Sequence, residues 1–205
     1  LPLSRGLGDV YKRQVLVGDY LLSQGLILTT SNKRLDLLEI VSKAVKSMSE
    51  GELLQMEKAR KMDITEEVYF RIIKQKTASL VAACCGTGAC SVVSDTNLIS
   101  KMENIGINVG MAFQIKDDIF DYGSSENIGK PTGIDIKERK LTLPLIYTLN
   151  KVDKSTKRMI INTIKKNKQN PKKVQEIVRL VIDRGGIAYA EKKTVSYTHL
   201  TLPTI

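Results

Sequence analysis

Apolar residues recur every three or four positions along most of this chain, which is the spacing of an amphipathic helix. Residues 33–61 show the pattern clearly, with Leu37, Val41, Val45 and Met48 on one predicted face. No segment alternates apolar and polar residues with the period of two that is typical of a strand. Proline is rare, with 5 residues among 205, so little in the composition interrupts a helix. The sequence therefore predicts an all-α fold.

Turn and capping signals divide the chain into seven predicted helices. These cover residues 15–28, 33–61, 63–88, 96–122, 141–150, 155–167 and 171–184. The run GSSENIGKPTGIDIKERK at 123–140 is rich in Gly, Ser and Lys and predicts a loop. The first helix, VLVGDYLLSQGLIL, is apolar on nearly every side apart from Asp19, so we expect it to be buried. No linker is long enough to separate the helices into two domains.

The two ends of the chain differ in character from the rest. Residues 1–14, LPLSRGLGDVYKRQ, lack a helical period, and residues 195–205, VSYTHLTLPTI, interrupt a charged helical pattern with Thr, Leu and Pro. Both strings resemble translated adapter sequence. We therefore interpret residues 15–194 as a partial natural helical domain, and the two flanking strings as non-native read-through segments.

The formal net charge of +10 raises the question of a nucleic-acid partner. Lysine and arginine are spread along the sequence, and the densest run, Lys165-Lys166-Asn167-Lys168, comes shortly before Pro171. A solvated helix end explains such a run better than a nucleic-acid site does. We therefore expect no nucleic-acid partner, whereas phosphorylated small molecules fit the charge.

Cysteine usage and hydropathy bear on the cellular compartment. Cys84, Cys85 and Cys90 have no CxxC spacing, and the only histidine, His199, is distant in sequence. This pattern predicts small buried thiols in a reducing environment rather than a zinc site. The longest apolar-rich stretch, roughly 14 residues, is too short for a transmembrane anchor, and the first residues lack the order of a signal peptide. The expected location is the cytoplasm.

An unusual group of acids lies in GMAFQIKDDIFDYG, residues 110–123. At about 100° per residue, four polar side chains share one arc of this predicted helix. They are Gln114, Asp117, Asp118 and Asp121, and Gly106 and Gly110 continue the same strip. Phenylalanine and isoleucine flank the strip on both sides, so it forms a narrow polar seam in an apolar surface.

Carboxylates in such a seam need a compensating positive charge, because burying them unpaired is costly. Magnesium is typically held by one or two carboxylates together with water and phosphate oxygens. We expect the two glycines to leave room for a ligand, and Lys130 and Lys140 to face its phosphate groups. An exposed acidic helix end explains the DDxxD pattern alone equally well, whereas the pattern lacks the spacing of a calcium loop.

The longer run GMAFQIKDDIFDYGSSENIGKPTGIDIKERKLTLPLIY resembles the second aspartate-rich motif of the trans-type polyprenyl diphosphate synthases and the loop that follows it. Four other strings resemble further signatures of that family in the same order. They are VLVGDYLL at 15–22, GELLQ at 51–55, KTASL at 76–80 and GGIAYA at 185–190. The resemblance covers nearly all of residues 15–194, and the motif order is most similar to long-chain synthases of the octaprenyl kind.

The resemblance implies an isoprenoid synthase-type helical bundle around a central cavity, usually a homodimer. Such enzymes use Mg²⁺ to condense isopentenyl diphosphate onto an allylic diphosphate. By resemblance, Asp117, Asp118 and Asp121 would bind or orient Mg²⁺, and Asp135 would support the ligands from outside. Lys76, Lys130 and Lys140 would contact diphosphate, and Thr77 and Gln114 would lie near the reacting carbon.

The sequence also departs from the family. The family has an earlier aspartate-rich motif followed by paired arginines, and these 205 residues contain neither. Glu138-Arg139-Lys140 stands where the family commonly has Glu-Gly-Lys. We therefore expect this chain to be inactive: turnover of isopentenyl diphosphate with farnesyl diphosphate above a no-enzyme blank would contradict this expectation.

Three other functions are compatible with the motifs. The chain could belong to a non-catalytic partner subunit of a prenyl diphosphate synthase, although a silent subunit has no need for three acids. It could be a metal-binding helical protein without catalysis. A terpene cyclase is the nearest enzymatic rival, but KTASL and GKP…KLTLP resemble the chain-elongating enzymes more closely.

Overall fold

The computed structural model describes residues 3–123, 133–166 and 170–199, with side chains from residue 13 onward. Within these ranges every regular element is a helix, which confirms the predicted all-α fold. The α-helices are α1 Leu3–Ser31, α2 Leu35–Lys61, α3 Glu66–Ile73, α4 Ser79–Cys90, α5 Thr96–Phe120, α6 Ile134–Lys137, α7 Leu143–Lys151, α8 Lys154–Lys166, α9 Pro171–Asp183 and α10 Gly186–Thr198. A π-helical turn, Lys74–Ala78, joins α3 to α4.

Contacts divide the chain into two compact units, Leu1–Lys43 and Ala44–Ile205. In the first unit, α1 continues in both directions beyond the predicted helix 15–28. Its large apolar side chains between Val15 and Leu28 are 43–66% exposed. The prediction that this helix is buried was therefore wrong. An apolar sequence indicates that a helix has a surface suited to burial, but it does not identify the partner against which that surface packs.

The core of the second unit is formed by apolar faces of α5 to α9. Its most buried large apolar side chains are Ile115, Ile136, Leu143, Leu145, Ile146, Ile160, Ile164, Val174 and Val181, each at most 1% exposed. In α9 the buried residues follow the helical spacing of Val174, Ile177, Val178 and Val181, as expected for an amphipathic helix. Asn170 caps α9 by accepting hydrogen bonds from the first backbone N–H groups.

Two glycines of α5 pack directly on the turn and helix that precede it. A Cβ atom added at Gly106 would lie 2.6 Å from the Cα of Ala82, and one added at Gly110 would lie 2.5 Å from the Cα of Ala78. We expected these glycines to leave room for a ligand, and this was wrong. The absent side chains allow two helical backbones to approach closely instead.

The predicted helix 63–88 is interrupted by the π-helical turn Lys74–Ala78. Gly51 of α2 packs against this turn, because an added Cβ would lie 2.7 Å from the backbone nitrogen of Lys76. Gly110 contacts the same turn through Ala78. Two close backbone contacts therefore hold the segment that carries Lys76 and Thr77, and π-helical turns are frequent at functional sites.

Other differences from the sequence predictions are local. The predicted loop 123–140 contains the short helix α6 in its described part, and Arg139 adopts a left-handed conformation with φ 62°. Arg139 stands where the resemblance leads us to expect glycine, and its left-handed backbone is the conformation that glycine adopts most easily. Helix α9 ends at Asp183, close to the predicted end at residue 184, and α10, which was not predicted, begins at Gly186. Cys84 is exposed, so the prediction of a buried thiol was wrong there.

Candidate functional site

A cavity opens between the second half of α2, α3, the π-helical turn, α5 and the segment from α6 to the start of α7. It holds about 800 Å³ of empty space, part of it open to solvent. Seven of the site residues predicted from the sequence line it, namely Lys76, Thr77, Gln114, Asp117, Asp118, Asp135 and Lys140. Asp121 does not line this cavity, and Lys130 lies outside the described residues.

Asp118 is buried at 5% exposure and is surrounded by hydrogen-bond donors. Its Oδ2 atom accepts from the Tyr69 hydroxyl at 2.7 Å and from the Leu143 backbone N–H at 3.4 Å. Its Oδ1 atom accepts from Gln114 Nε2 at 3.1 Å. Burial raises the pKa of Asp118 to about 7, although these hydrogen bonds oppose the increase. The contacts indicate that Asp118 orients neighbouring groups.

The same network reaches Thr77. Its hydroxyl donates to Gln114 Oε1 at 3.0 Å, while the amide nitrogen of Gln114 donates to Asp118. Because a hydroxyl has one proton and two lone pairs, donation to Gln114 leaves the oxygen lone pairs of Thr77 available as acceptors. The chain of contacts therefore fixes a hydroxyl oxygen as an electron-rich group at the cavity wall.

Asp121 organises the backbone of the following segment. Its carboxylate accepts from the backbone N–H groups of Ile134 at 2.8 Å and Asp135 at 3.2 Å, which begin α6. Burial raises the pKa of Asp121 to about 6, and the nearby Asp135 carboxylate adds to the increase. Asp121 thereby holds Asp135 and the loop before α7 beside the cavity.

Asp117 differs from the other two acids of the motif. It is exposed and lines the cavity, and it has no hydrogen bond or ion pair with any residue that the structure describes. Burial raises the pKa of Asp135, and repulsion from Asp117 contributes to that shift. Asp117 is thus the carboxylate of the motif that remains available to a bound cation.

The two cavity lysines are held by acidic partners. Lys76 Nζ lies 2.6 Å from Glu52 Oε2 and donates to Gln55 Oε1 at 2.7 Å. Lys140 Nζ lies 2.6 Å from Glu138 Oε2 and 3.5 Å from Asp135 Oδ1. Both lysines line the cavity, so an anionic ligand there would compete with these acids for them.

Sequence reasoning missed four residues of this arrangement: Glu52, Gln55, Tyr69 and Thr142. Glu52 and Gln55 stand in the GELLQ string, which was recognised only as a family signature. The aromatic rings of buried tyrosines look like core residues in a sequence, so Tyr69 gave no signal of its contact with Asp118. Thr142 lines the cavity and pairs with the hydroxyl of buried Tyr122 at 2.6 Å.

The donor set suits Mg²⁺ shared with a phosphate ligand. Among the described residues, no group of three or more His, Cys, Asp or Glu side chains is placed so that it could hold a metal ion by itself. Magnesium usually takes only one or two carboxylates and completes its coordination with water and phosphate oxygens. Asp117 can supply one such carboxylate, and Asp135 lies close enough to repel it. Asp118 and Asp121 already accept two or more hydrogen bonds each from the protein.

The chain is similar in sequence to known proteins along most of its length. The sequence model of the family described as Polyprenyl synthetase matches residues 9–181. The chain is 29% identical to the geranylgeranyl diphosphate synthase of Saccharolobus solfataricus over 99% of this chain and 65% of that protein. It is 40% identical to the octaprenyl diphosphate synthase of Escherichia coli over 66% of this chain and 42% of that protein.

A solved structure gives a similar result. The decaprenyl diphosphate synthase of Rhodobacter capsulatus superposes with a TM-score of 0.83 at 32% identity, covering 91% of this chain and 58% of the other. The chain therefore spans less than two thirds of the length of the relatives that it matches. No helix among the described residues is both long and apolar enough to cross a bilayer.

Proposed function

This chain belongs to the polyprenyl synthetase family, and we propose that the whole protein is a Mg²⁺-dependent prenyltransferase. It would condense isopentenyl diphosphate onto an allylic diphosphate to give a trans-polyprenyl diphosphate. The observation that carries the proposal is one cavity that combines Asp117, a carboxylate without a partner among the described residues, with two lysines, Lys76 and Lys140. The oriented hydroxyl of Thr77 lies in the same cavity.

Each group would perform a distinct part of this reaction. Ionisation of an allylic carbon–oxygen bond produces a diphosphate anion and a carbocation. Lys76 and Lys140 would stabilise the anion as it leaves, and the oxygen of Thr77 would stabilise the cation. Bound Mg²⁺, held by Asp117 with support from Asp121 and Asp135, would supply Lewis-acid stabilisation of the diphosphate charge.

Two further features fit this chemistry. The cavity wall includes Ile64, Ile72 and Ile73, which exclude water that would otherwise trap the cation. The departing diphosphate can accept the proton lost after condensation, so the reaction needs no histidine. A cytoplasmic location is part of the same proposal, because Cys84, Cys85 and Cys90 are free thiols, which suits a reducing compartment.

Binding of a non-ionising analogue tests the proposal in this chain. Farnesyl S-thiolodiphosphate, titrated calorimetrically, is expected to bind in the presence of Mg²⁺ and to lose most of its affinity in its absence. Lys76→Met should weaken this binding by roughly ten- to a hundredfold, because a charge-assisted contact to phosphate is lost. Lys101→Met, at an exposed site on α5, is the matched control. Binding that ignores Mg²⁺ or Lys76 would count against the proposal.

We also propose that the protein forms a homodimer through α1. The exposed apolar side chains of that helix include Val17, Leu21 and Leu28, which fall within about 40° of one another on a helical wheel. An apolar stripe of this kind marks an interaction surface. Sedimentation equilibrium should detect a dimer that Leu21→Glu with Leu28→Glu converts to a monomer, and a wild-type monomer would exclude this interface.

A further inference from the structure

The positive charge of the chain is concentrated in one region. Residues 151–184 contain eleven of the 32 lysines and arginines but only three of the 22 acids. About a sixth of the sequence thus carries most of the net charge of +10. No short run in the sequence shows this concentration, because the buried positions of α8 and α9 separate these cations from one another.

Helix α8 is the most uniform part of this region. Its thirteen residues include five cations and no acid. The cations are Lys154, Lys157, Arg158, Lys165 and Lys166, and all five are exposed. The opposite side of the helix is anchored in the core by Ile160, Thr163 and Ile164. We call the exposed group of five cations the α8 basic face.

The wheel positions of three of these cations nearly coincide. At about 100° per residue, Lys154, Arg158 and Lys165 fall within roughly 40° of one another. None of the five cations forms an ion pair with an acid among the residues that the structure describes. The neighbouring Asp153 accepts hydrogen bonds from the Ser155 and Thr156 backbones at the start of the helix. The positive potential of the face is therefore not neutralised locally.

An apolar side chain lies among these charges. Met159 follows Arg158 directly and is 51% exposed. A nucleic-acid surface that reads bases or binds single strands uses aromatic rings for stacking or several arginines for base contacts, and α8 has no aromatic residue and a single arginine. The surface of an anionic bilayer instead accepts lysine-rich faces electrostatically and an exposed apolar side chain at the headgroup boundary.

We propose that the α8 basic face docks reversibly on a bilayer surface that contains anionic lipid. Docking would be peripheral, since the apolar side of α8 stays in the protein core. The face lies next to the candidate site, because Arg139 donates to the backbone oxygen of Lys165 at 3.0 Å and Lys140 lines the cavity. The proposal does not depend on the reaction that the cavity supports.

Vesicle co-sedimentation of the 205-residue chain tests this docking. The chain should bind vesicles of phosphatidylcholine mixed with phosphatidylglycerol, should not bind phosphatidylcholine alone, and should dissociate as salt is raised. The triple variant Lys154→Gln, Arg158→Gln, Lys165→Gln should bind on the order of a hundredfold more weakly, because each cation near an anionic surface contributes about a fivefold gain. Circular dichroism should show unchanged helix content, because all three positions are exposed.

A second triple variant with the same loss of charge is the matched control. Arg60→Gln, Lys101→Gln and Lys192→Gln change exposed residues outside α8 and should leave vesicle binding within about twofold. Equal losses in the two triple variants would mean that only net charge matters and would overturn the docking face. Equal binding to phosphatidylcholine alone would also overturn it. So would displacement from vesicles by duplex DNA at a matched concentration of phosphate charge.

Discussion

Replacing Gly110 with alanine is expected to lower the free energy of unfolding by about 3 kcal/mol, at the upper end of overpacking effects. The new Cβ would lie 2.5 Å from the Cα of Ala78 and 2.9 Å from its Cβ. These atoms belong to the backbone and to the shortest of side chains, so no flexible group can move aside. Helix α5 and the π-helical turn must separate, and the melting temperature should fall by roughly 10 °C.

A matched substitution in the neighbouring helix should have the opposite effect. Gly88 lies in α4, and an added Cβ there would have no atom within 4 Å. Gly88→Ala should therefore stabilise the protein by up to about 1 kcal/mol through helix propensity alone. Thermal unfolding of both variants measures the difference. If Gly110→Ala changed the free energy of unfolding no more than Gly88→Ala does, α5 and the π-helical turn could not be in such close contact.

Adjacent aspartates are expected to differ just as sharply when each is replaced with alanine. Asp118→Ala would leave buried donors of Tyr69, Gln114 and Leu143 without their acceptor, which should cost about 3 kcal/mol of stability. Asp117→Ala removes an exposed carboxylate that has no partner among the described residues. Its unfolding free energy should change by less than about 0.5 kcal/mol.

For ligand binding, we expect the opposite: Asp117→Ala should be the more damaging of the two variants. At a temperature where both are folded, Asp117→Ala should abolish Mg²⁺-dependent binding of farnesyl S-thiolodiphosphate, because it removes the available metal ligand. Asp118→Ala should retain Mg²⁺ dependence with reduced affinity, since it only disturbs Gln114 and Thr77. Calorimetry and chemical denaturation together test the division. If Asp117→Ala were destabilised, or if it still bound the analogue in a Mg²⁺-dependent way, the roles assigned to the two carboxylates would be wrong.

Helical periodicity was enough to predict the fold class and to place Gln114, Asp117 and Asp118 together on the cavity side of α5. It could not assign partners to them. The donor to Asp118 is Tyr69, 49 residues earlier in the chain, and the surface that faces Gly110 is Ala78. Contacts of this kind depend on how helices cross, which a one-dimensional period does not encode. Family resemblance supplied Lys76, Thr77 and Gln114 as a set, and their hydrogen bonds required the structure.

The π-helical turn at Lys74–Ala78 has a consequence for chain length in this region. A turn with i to i+5 hydrogen bonds holds one residue more than an α-helical turn of the same rise. Deleting one residue between Ile73 and Ser79 would produce a longer, uninterrupted α-helix, which is the locally more favourable structure. Because the turn absorbs the extra residue, α3 and α4 would keep nearly the same orientation, whereas the residues inside the turn, among them Lys76 and Thr77, would change theirs. The π-helical turn thus lets Lys76 and Thr77 line the cavity that Tyr69, Ile72 and Ile73 of α3 also line.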